Sequence, residues 1–215
     1  MNPEALFLSG VEVAIGATHI LHDVALDVPK GALCGLIGRN GAGKTTLLRT
    51  VMGLVPALSG TILCEGDNLR SMPAHKRAHL GIGYMPEDRR LLPDFTAEDN
   101  LLLPMWVTGE APEGRLERVY ELMPEVAAFA KRQAGYLSGG QQKLLALARA
   151  LLCGRRLILL DEPTEGLAPA LARRMIEVLA RLKGSGLSIL MAESNDSLLA
   201  DLLDRVFLIE RGSVA

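Results

Sequence analysis

Leu33-Cys34-Gly35-Leu36-Ile37-Gly38-Arg39-Asn40-Gly41-Ala42-Gly43-Lys44-Thr45 is the stretch that decides the fold. Leu33–Ile37 is short and apolar, as a buried strand is, and it runs directly into a glycine-rich turn. Gly38–Thr45 fits the pattern G-x-x-x-x-G-K-[ST], and Gly43–Met52 then carries a helical pattern. The glycines let the backbone curl so that several N–H groups point inward at phosphate oxygens, and the following helix adds the positive end of its dipole. Lys44 supplies a point charge suited to β- and γ-phosphates, and the Thr45 hydroxyl is a hard ligand for Mg²⁺. A strand, this loop and a helix in that order bind a nucleoside triphosphate.

Outward from that unit, short apolar runs alternate with longer helical patterns, which predicts an α/β architecture. Val24–Val28 alternates as a strand and Ile62–Cys64 reads as a return strand. Between residues 87 and 136 the chain has Pro93, Pro104, Pro112 and Pro124, with helical patches between them. Thr96 with Asp99 has the form of a capping box, and Arg115–Met123 is amphipathic. This stretch reads as an inserted helical subdomain, flanked by a core of residues 1–86 and 137–215. Strand and helix patterns then resume: Leu157–Leu160, Pro169–Lys183, Ser188–Met191, residues 196–203 as a helix, and Val206–Ile209. The expectation is one domain over residues 1–215.

The 215 residues are 49% hydrophobic but only 4% aromatic, an aliphatic bias that suits parallel strands covered on both faces. A net charge of −2 lends no support to a nucleic-acid partner, and none is expected. No apolar run approaches the roughly 18 residues that span a bilayer, and Met1–Gly10 lacks a secretory pattern, so a cytoplasmic location is expected. Cys34, Cys64 and Cys153 lack metal-ligand spacing and read as buried small hydrophobes.

Two further segments carry chemistry. Leu157–Glu162 is an apolar strand ending in two carboxylates, which buried strands rarely tolerate without a cation. Asp161 is placed to hold Mg²⁺, usually through water, and Glu162 to polarise an attacking water. Leu137-Ser138-Gly139-Gly140-Gln141 opens an apolar helix read over Lys143–Leu152. Ser138 and Gln141 have capping-box spacing, and the two glycines expose N–H groups at a second helix start.

Together, Gly38–Thr45, Leu137–Gln141 and Leu160–Pro163 resemble the ATP-binding cassette family over essentially the whole chain. The resemblance implies a P-loop NTPase core with a mixed sheet, an N-terminal antiparallel β region and an inserted helical subdomain. It implies ATP hydrolysis with Mg²⁺, with Thr46 joining the phosphate-contacting residues Gly38–Thr45. It also implies a head-to-tail dimer in which the Ser138, Gly139, Gly140 and Gln141 segment of one chain closes over ATP on the other. Such a dimer drives permease subunits from the cytoplasmic face of the inner membrane. His19–Val24, Tyr84–Arg90 and Asp161–Pro169 look, more finely, like the ATPase subunits of branched-chain amino-acid importers, or of urea and short-chain amide importers. Systems of that type pair two different ATPases and receive solute from an external binding protein.

Four positions depart from the general cassette pattern. Ile15 stands where an aromatic stacks on adenine, and Glu87 where a glutamine contacts Mg²⁺ and water. Ala168 replaces an aspartate that reaches across the dimer. Ser194 replaces the histidine at the γ-phosphate, and a serine donates a hydrogen bond but brings no cation. These departures imply a non-identical partner and, on this chain's own loop, turnover that is slow or depends heavily on that partner. The competing readings are a soluble cassette acting on ribosomes or DNA and a non-hydrolysing regulatory cassette. The first lacks its usual second cassette or coiled-coil insertion here. The second is opposed by Lys44, Asp161 and Glu162.

Overall fold

The computed structural model describes residues 4–112, 114–195, 197 and 199–215. Strands β1 (Glu4–Ile15) and β2 (Thr18–Pro29) form a long hairpin, which β4 (Ser59–Cys64) and β5 (Asp67–Asn68) extend into an antiparallel sheet. A second sheet is built on β3 (Leu33–Ile37), β6 (Ile82–Met85), β7 (Leu157–Asp161), β8 (Ser188–Glu193) and β9 (Arg205–Glu210), all parallel. The short β10 (Ser213–Val214) runs antiparallel at one edge, and the order is β10-β9-β3-β8-β7-β6.

The parallel strands separate two apolar layers, and the two-residue period of a strand assigns side chains to each. On β7, Leu157 and Leu159 join one cluster while Ile158 and Leu160 join the other. Leu190 and Ala192 on β8 divide from Ile189 and Met191 in the same way. The first layer holds helix α1 (Lys44–Met52), whose Leu47, Leu48 and Val51 pack with Leu6 and Val24 of the hairpin, and the short α2 (Ala74–His79) precedes β6. The second layer holds α3 (Ala97–Thr108), α6 (Gly139–Cys153) and α7 (Pro169–Leu182), through Leu101, Leu145 and Met175. Each such side chain, fully buried, contributes about 1.5–3 kcal/mol. The backbone under the phosphate loop is therefore held from both sides.

Within residues 87–136 the chain forms α3, α4 (Arg115–Leu122), α5 (Pro124–Ala128) and a 3₁₀ turn at Ala134–Tyr136. The capping box at Thr96 is present, with Asp99 N–H donating to Thr96 Oγ1 at 3.1 Å. The helix predicted over residues 196–203 is corrected. Its described residues 199–202 make turns, with Leu202 and Leu203 N–H both bonding to Leu199 O, while Asp196 and Leu198 lie outside the described residues. Cys34 and Cys64 are buried as expected, whereas Cys153 is only half-buried, so that expectation is corrected for the third cysteine. Among the described residues, no helix is long and apolar enough to cross a membrane.

Candidate functional site

Four neighbouring strands of the parallel sheet end at one cleft, as open α/β sheets dictate, because the loops that leave the carboxyl ends share one edge. β3 delivers Gly38 and the phosphate loop, β8 delivers Glu193 and Ser194, β7 delivers Asp161 and Glu162, and β6 leads to Glu87. The cleft encloses about 440 Å³ and is lined by Ile20, Asn40, Gly41, Gly43, Lys44, Thr45, Thr46, Glu87, Glu162 and Glu165. Two glycines of the loop are fixed by conformation and space. Gly43 has φ 111°, and a Cβ on Gly38 would stand 2.3 Å from Ile209 O. No other residue fits those two places without distortion.

Lys44 is only 4% exposed, and its ammonium donates to Gly38 O at 2.6 Å while pairing with Glu162 Oε1 at 2.9 Å. Thr45 Oγ1 donates to Asp161 Oδ1 at 3.0 Å, and the Tyr84 hydroxyl approaches Asp161 Oδ2 at 3.4 Å. Burial pushes the Asp161 carboxyl up to about 6, with Glu87 and Glu162 adding to the rise and the Thr45 hydrogen bond opposing it. Burial would raise Glu162 too, but hydrogen bonds from Lys44 and Ser194 outweigh it and hold that carboxyl below its usual range. Two adjacent acids thus have different surroundings.

Glu162 adopts φ 49°, a left-handed conformation that costs a non-glycine residue on the order of 1–3 kcal/mol. Surrounding bonds hold it there: its N–H donates to Ala192 O at 2.9 Å, and Lys143 Nζ donates to its carbonyl at 2.7 Å. Ser194 N–H reaches Glu162 Oε2 at 3.2 Å. The Ser194 hydroxyl lies 2.8 Å from both Glu162 Oε1 and Asn40 Oδ1, so its one proton serves one acceptor at a time.

The family model described as ABC transporter matches residues 21–165 of this chain. The chain is 37% identical over 205 residues to the high-affinity branched-chain amino acid transport ATP-binding protein BraG of Pseudomonas aeruginosa, covering 95% of this chain and 88% of that protein. This chain belongs to the ABC transporter family, as one of its ATP-binding, ATP-hydrolysing cassettes. The cassette is also 33% identical to the lipopolysaccharide export system ATP-binding protein LptB of Escherichia coli, over 90% of this chain and 81% of that one. Among solved structures, the ADP conformation of MJ1267, an ATP-binding cassette of an ABC transporter, superposes with a TM-score of 0.84 at 27% identity. That match covers 99% of this chain and 89% of MJ1267.

The cassette gathers eight of the eighteen site residues expected from sequence into one place: Asn40, Gly41, Gly43, Lys44, Thr45, Thr46, Glu87 and Glu162 line the cleft. Asp161 reaches it through Thr45. Gly38, Arg39, Ala42 and Ser194 line an adjoining hollow on the other side of the loop. Ile15 stands apart at the end of the hairpin, 54% exposed, and Ile20 takes a place in the cleft wall instead. Ser138, Gly139, Gly140 and Gln141 do not line the cleft; they start α6, where Arg89 Nη1 donates to Gly139 O at 3.3 Å. Sequence reading passes over Lys143, Thr164, Glu193 and Tyr84, because each matters through a partner distant in the chain. Glu12, His19 and His22 also cluster on the hairpin, with their ligand atoms within 4.8 Å of one another and the two imidazole rings near-parallel at 13°.

Proposed function

We propose that this cassette powers an importer of branched-chain amino acids or a similar small polar solute. In this reading ATP closes a dimer of cassettes and hydrolysis reopens it. The observation that carries it is the cleft itself. Lys44, Thr45, Asp161 and Glu162 converge there, while the Ser138–Gln141 helix start faces elsewhere and is left for a second chain. The higher identity to BraG and to LivF of Archaeoglobus fulgidus, 37% and 36%, than to LptB favours the importer class. The urea and short-chain amide importers remain the neighbouring alternative for the solute.

A buried carboxyl beside a hydroxyl is a hard-oxygen pair that fits Mg²⁺. Thr45 and Asp161 would hold the ion, with Glu87 on the same rim. Bound there, Mg²⁺ supplies neutralising charge at the β- and γ-phosphates. Lys44 then exchanges Glu162 for phosphate oxygens, and the released Glu162 carboxylate orients the attacking water. Ser194 holds that carboxylate without adding a positive charge. Residues 87–136 act as the helical subdomain that meets the permease. The cassette works on the cytoplasmic face of the inner membrane, beside permease subunits, with a non-identical second ATPase and an external solute-binding protein.

Because Ser194 brings no cation, this chain's own loop turns ATP over slowly, while its Ser138–Gln141 segment completes the partner's site. Hydrolysis by the reconstituted transporter, with Glu162→Gln set against the equivalent change in the partner, tests this. The partner change is expected to cost more. If Glu162→Gln alone abolished all hydrolysis and the partner variant stayed active, the asymmetry would be wrong.

A further inference from the structure

Glu193 ends β8 as a carboxyl only 4% exposed, directly behind the cleft. Its Oε1 accepts from Thr164 N–H at 2.9 Å and from Thr164 Oγ1 at 2.7 Å. Its main-chain carbonyl accepts from Gly38 N–H at 3.2 Å. One residue therefore grips the first glycine of the phosphate loop with its backbone and the turn after Glu162 with its side chain. The Glu162 carboxyl near it is equally buried.

Neighbouring buried carboxyls disfavour each other's charge. The groups around these two differ. Lys44 Nζ and the Ser194 hydroxyl and N–H all donate to Glu162, which favours the negative charge there. Lys143 Nζ turns to the carbonyls of Glu162 and Glu165. Glu193 is pushed up to about 7, first by burial and further by Glu162, against the pull of the Thr164 hydrogen bonds.

We propose that Glu193 is a positioning residue for ATP hydrolysis, holding the 162–165 turn and aiming the Glu162 carboxylate at the attacking water. The inference rests on Glu162 as the water-orienting group. It fixes the turn that carries Glu162, while Lys44 and Ser194 hold the carboxylate itself.

The test is steady-state hydrolysis and nucleotide affinity of the assembled transporter carrying Glu193→Ala, Glu193→Gln, Thr164→Val or Glu162→Gln. The partner cassette's own catalytic carboxylate is replaced throughout. Glu193→Ala is expected to lower kcat by about ten- to a hundredfold, the scale of a misplaced catalytic group, with KM for ATP little changed. Glu193→Gln recovers most of that loss, since its amide oxygen accepts from Thr164 N–H and Oγ1 as the carboxyl oxygen does. Thr164→Val, which keeps the Thr164 N–H, shows a smaller fall in kcat and carries the test should Glu193→Ala fail to fold. Wild-type kcat in both Glu193→Ala and Thr164→Val, or a Gln variant as slow as the Ala variant, overturns the inference. If Glu162→Gln keeps full turnover, the reading of Glu162 itself falls. If Glu162→Gln is inactive and Glu193→Ala is not, only the role of Glu193 falls.

Discussion

The two glycine-bearing helix starts, α1 and α6, differ in what satisfies their first N–H groups. Every α-helix leaves four such donors without an intrahelical acceptor. At α1 the capping position is Gly43, left-handed at φ 111°, and no side chain caps it. At α6 the cap is Ser138, whose Oγ accepts from Gln141 N–H at 3.3 Å while Gln141 Oε1 accepts from Ser138 N–H at 3.0 Å. The first helix start is open and buried in a cleft with Lys44; the second is closed on itself and faces outward. An uncapped start lined by glycine and lysine is built for an anion. A capped start is stable without one, and it serves a ligand only when another chain carries that ligand to it. In the proposed dimer the two starts are halves of different sites.

The sharpest way to break this contrast is to remove the charge at the open start. Lys44→Gln keeps a hydrogen bond available to Glu162 but loses the cation, and hydrolysis is expected to fall by about 10²–10³-fold, as when a preorganised charge-stabilising donor is lost. Gly43→Ala comes next. Its Cβ would meet Leu21 Cδ2 at 2.8 Å in a left-handed conformation, costing on the order of 1–3 kcal/mol of stability and disordering the loop. Chemical denaturation together with nucleotide titration checks both effects. Ser138→Ala is the smallest. Losing the cap on α6 costs about 1 kcal/mol, so the melting temperature drops by about 2–4 °C. A larger drop would mean that α6 depends on its cap more than its buried Leu144, Leu145 and Leu147 allow.

The same contrast explains what the sequence made legible. The phosphate loop, both capping boxes and the aliphatic strands β3, β7 and β8 are local patterns, and each one is present in the structure. Strand β1 escapes sequence reading because the register shifts between Leu8 and Val11, and again up to Ala14, break the two-residue alternation. β6 escapes because Gly83 interrupts a four-residue strand. Glu193 offers no spacing at all, since an acid at a strand end is ordinary until Thr164, 29 residues away, is folded against it. Fold followed from periodicity, whereas the support behind Glu162 depends on long-range contacts that leave no periodic trace.

The contrast between the two helix starts predicts that this chain binds ATP at the open start of α1 and not at the capped start of α6. Calorimetric titration of Mg²⁺-ATP into the purified chain, with wild type beside Lys44→Gln and Ser138→Ala, tests it most directly. One ATP per chain is predicted, with affinity lost in Lys44→Gln and retained in Ser138→Ala. Equal losses of affinity in the two variants, with both still folded, would contradict it.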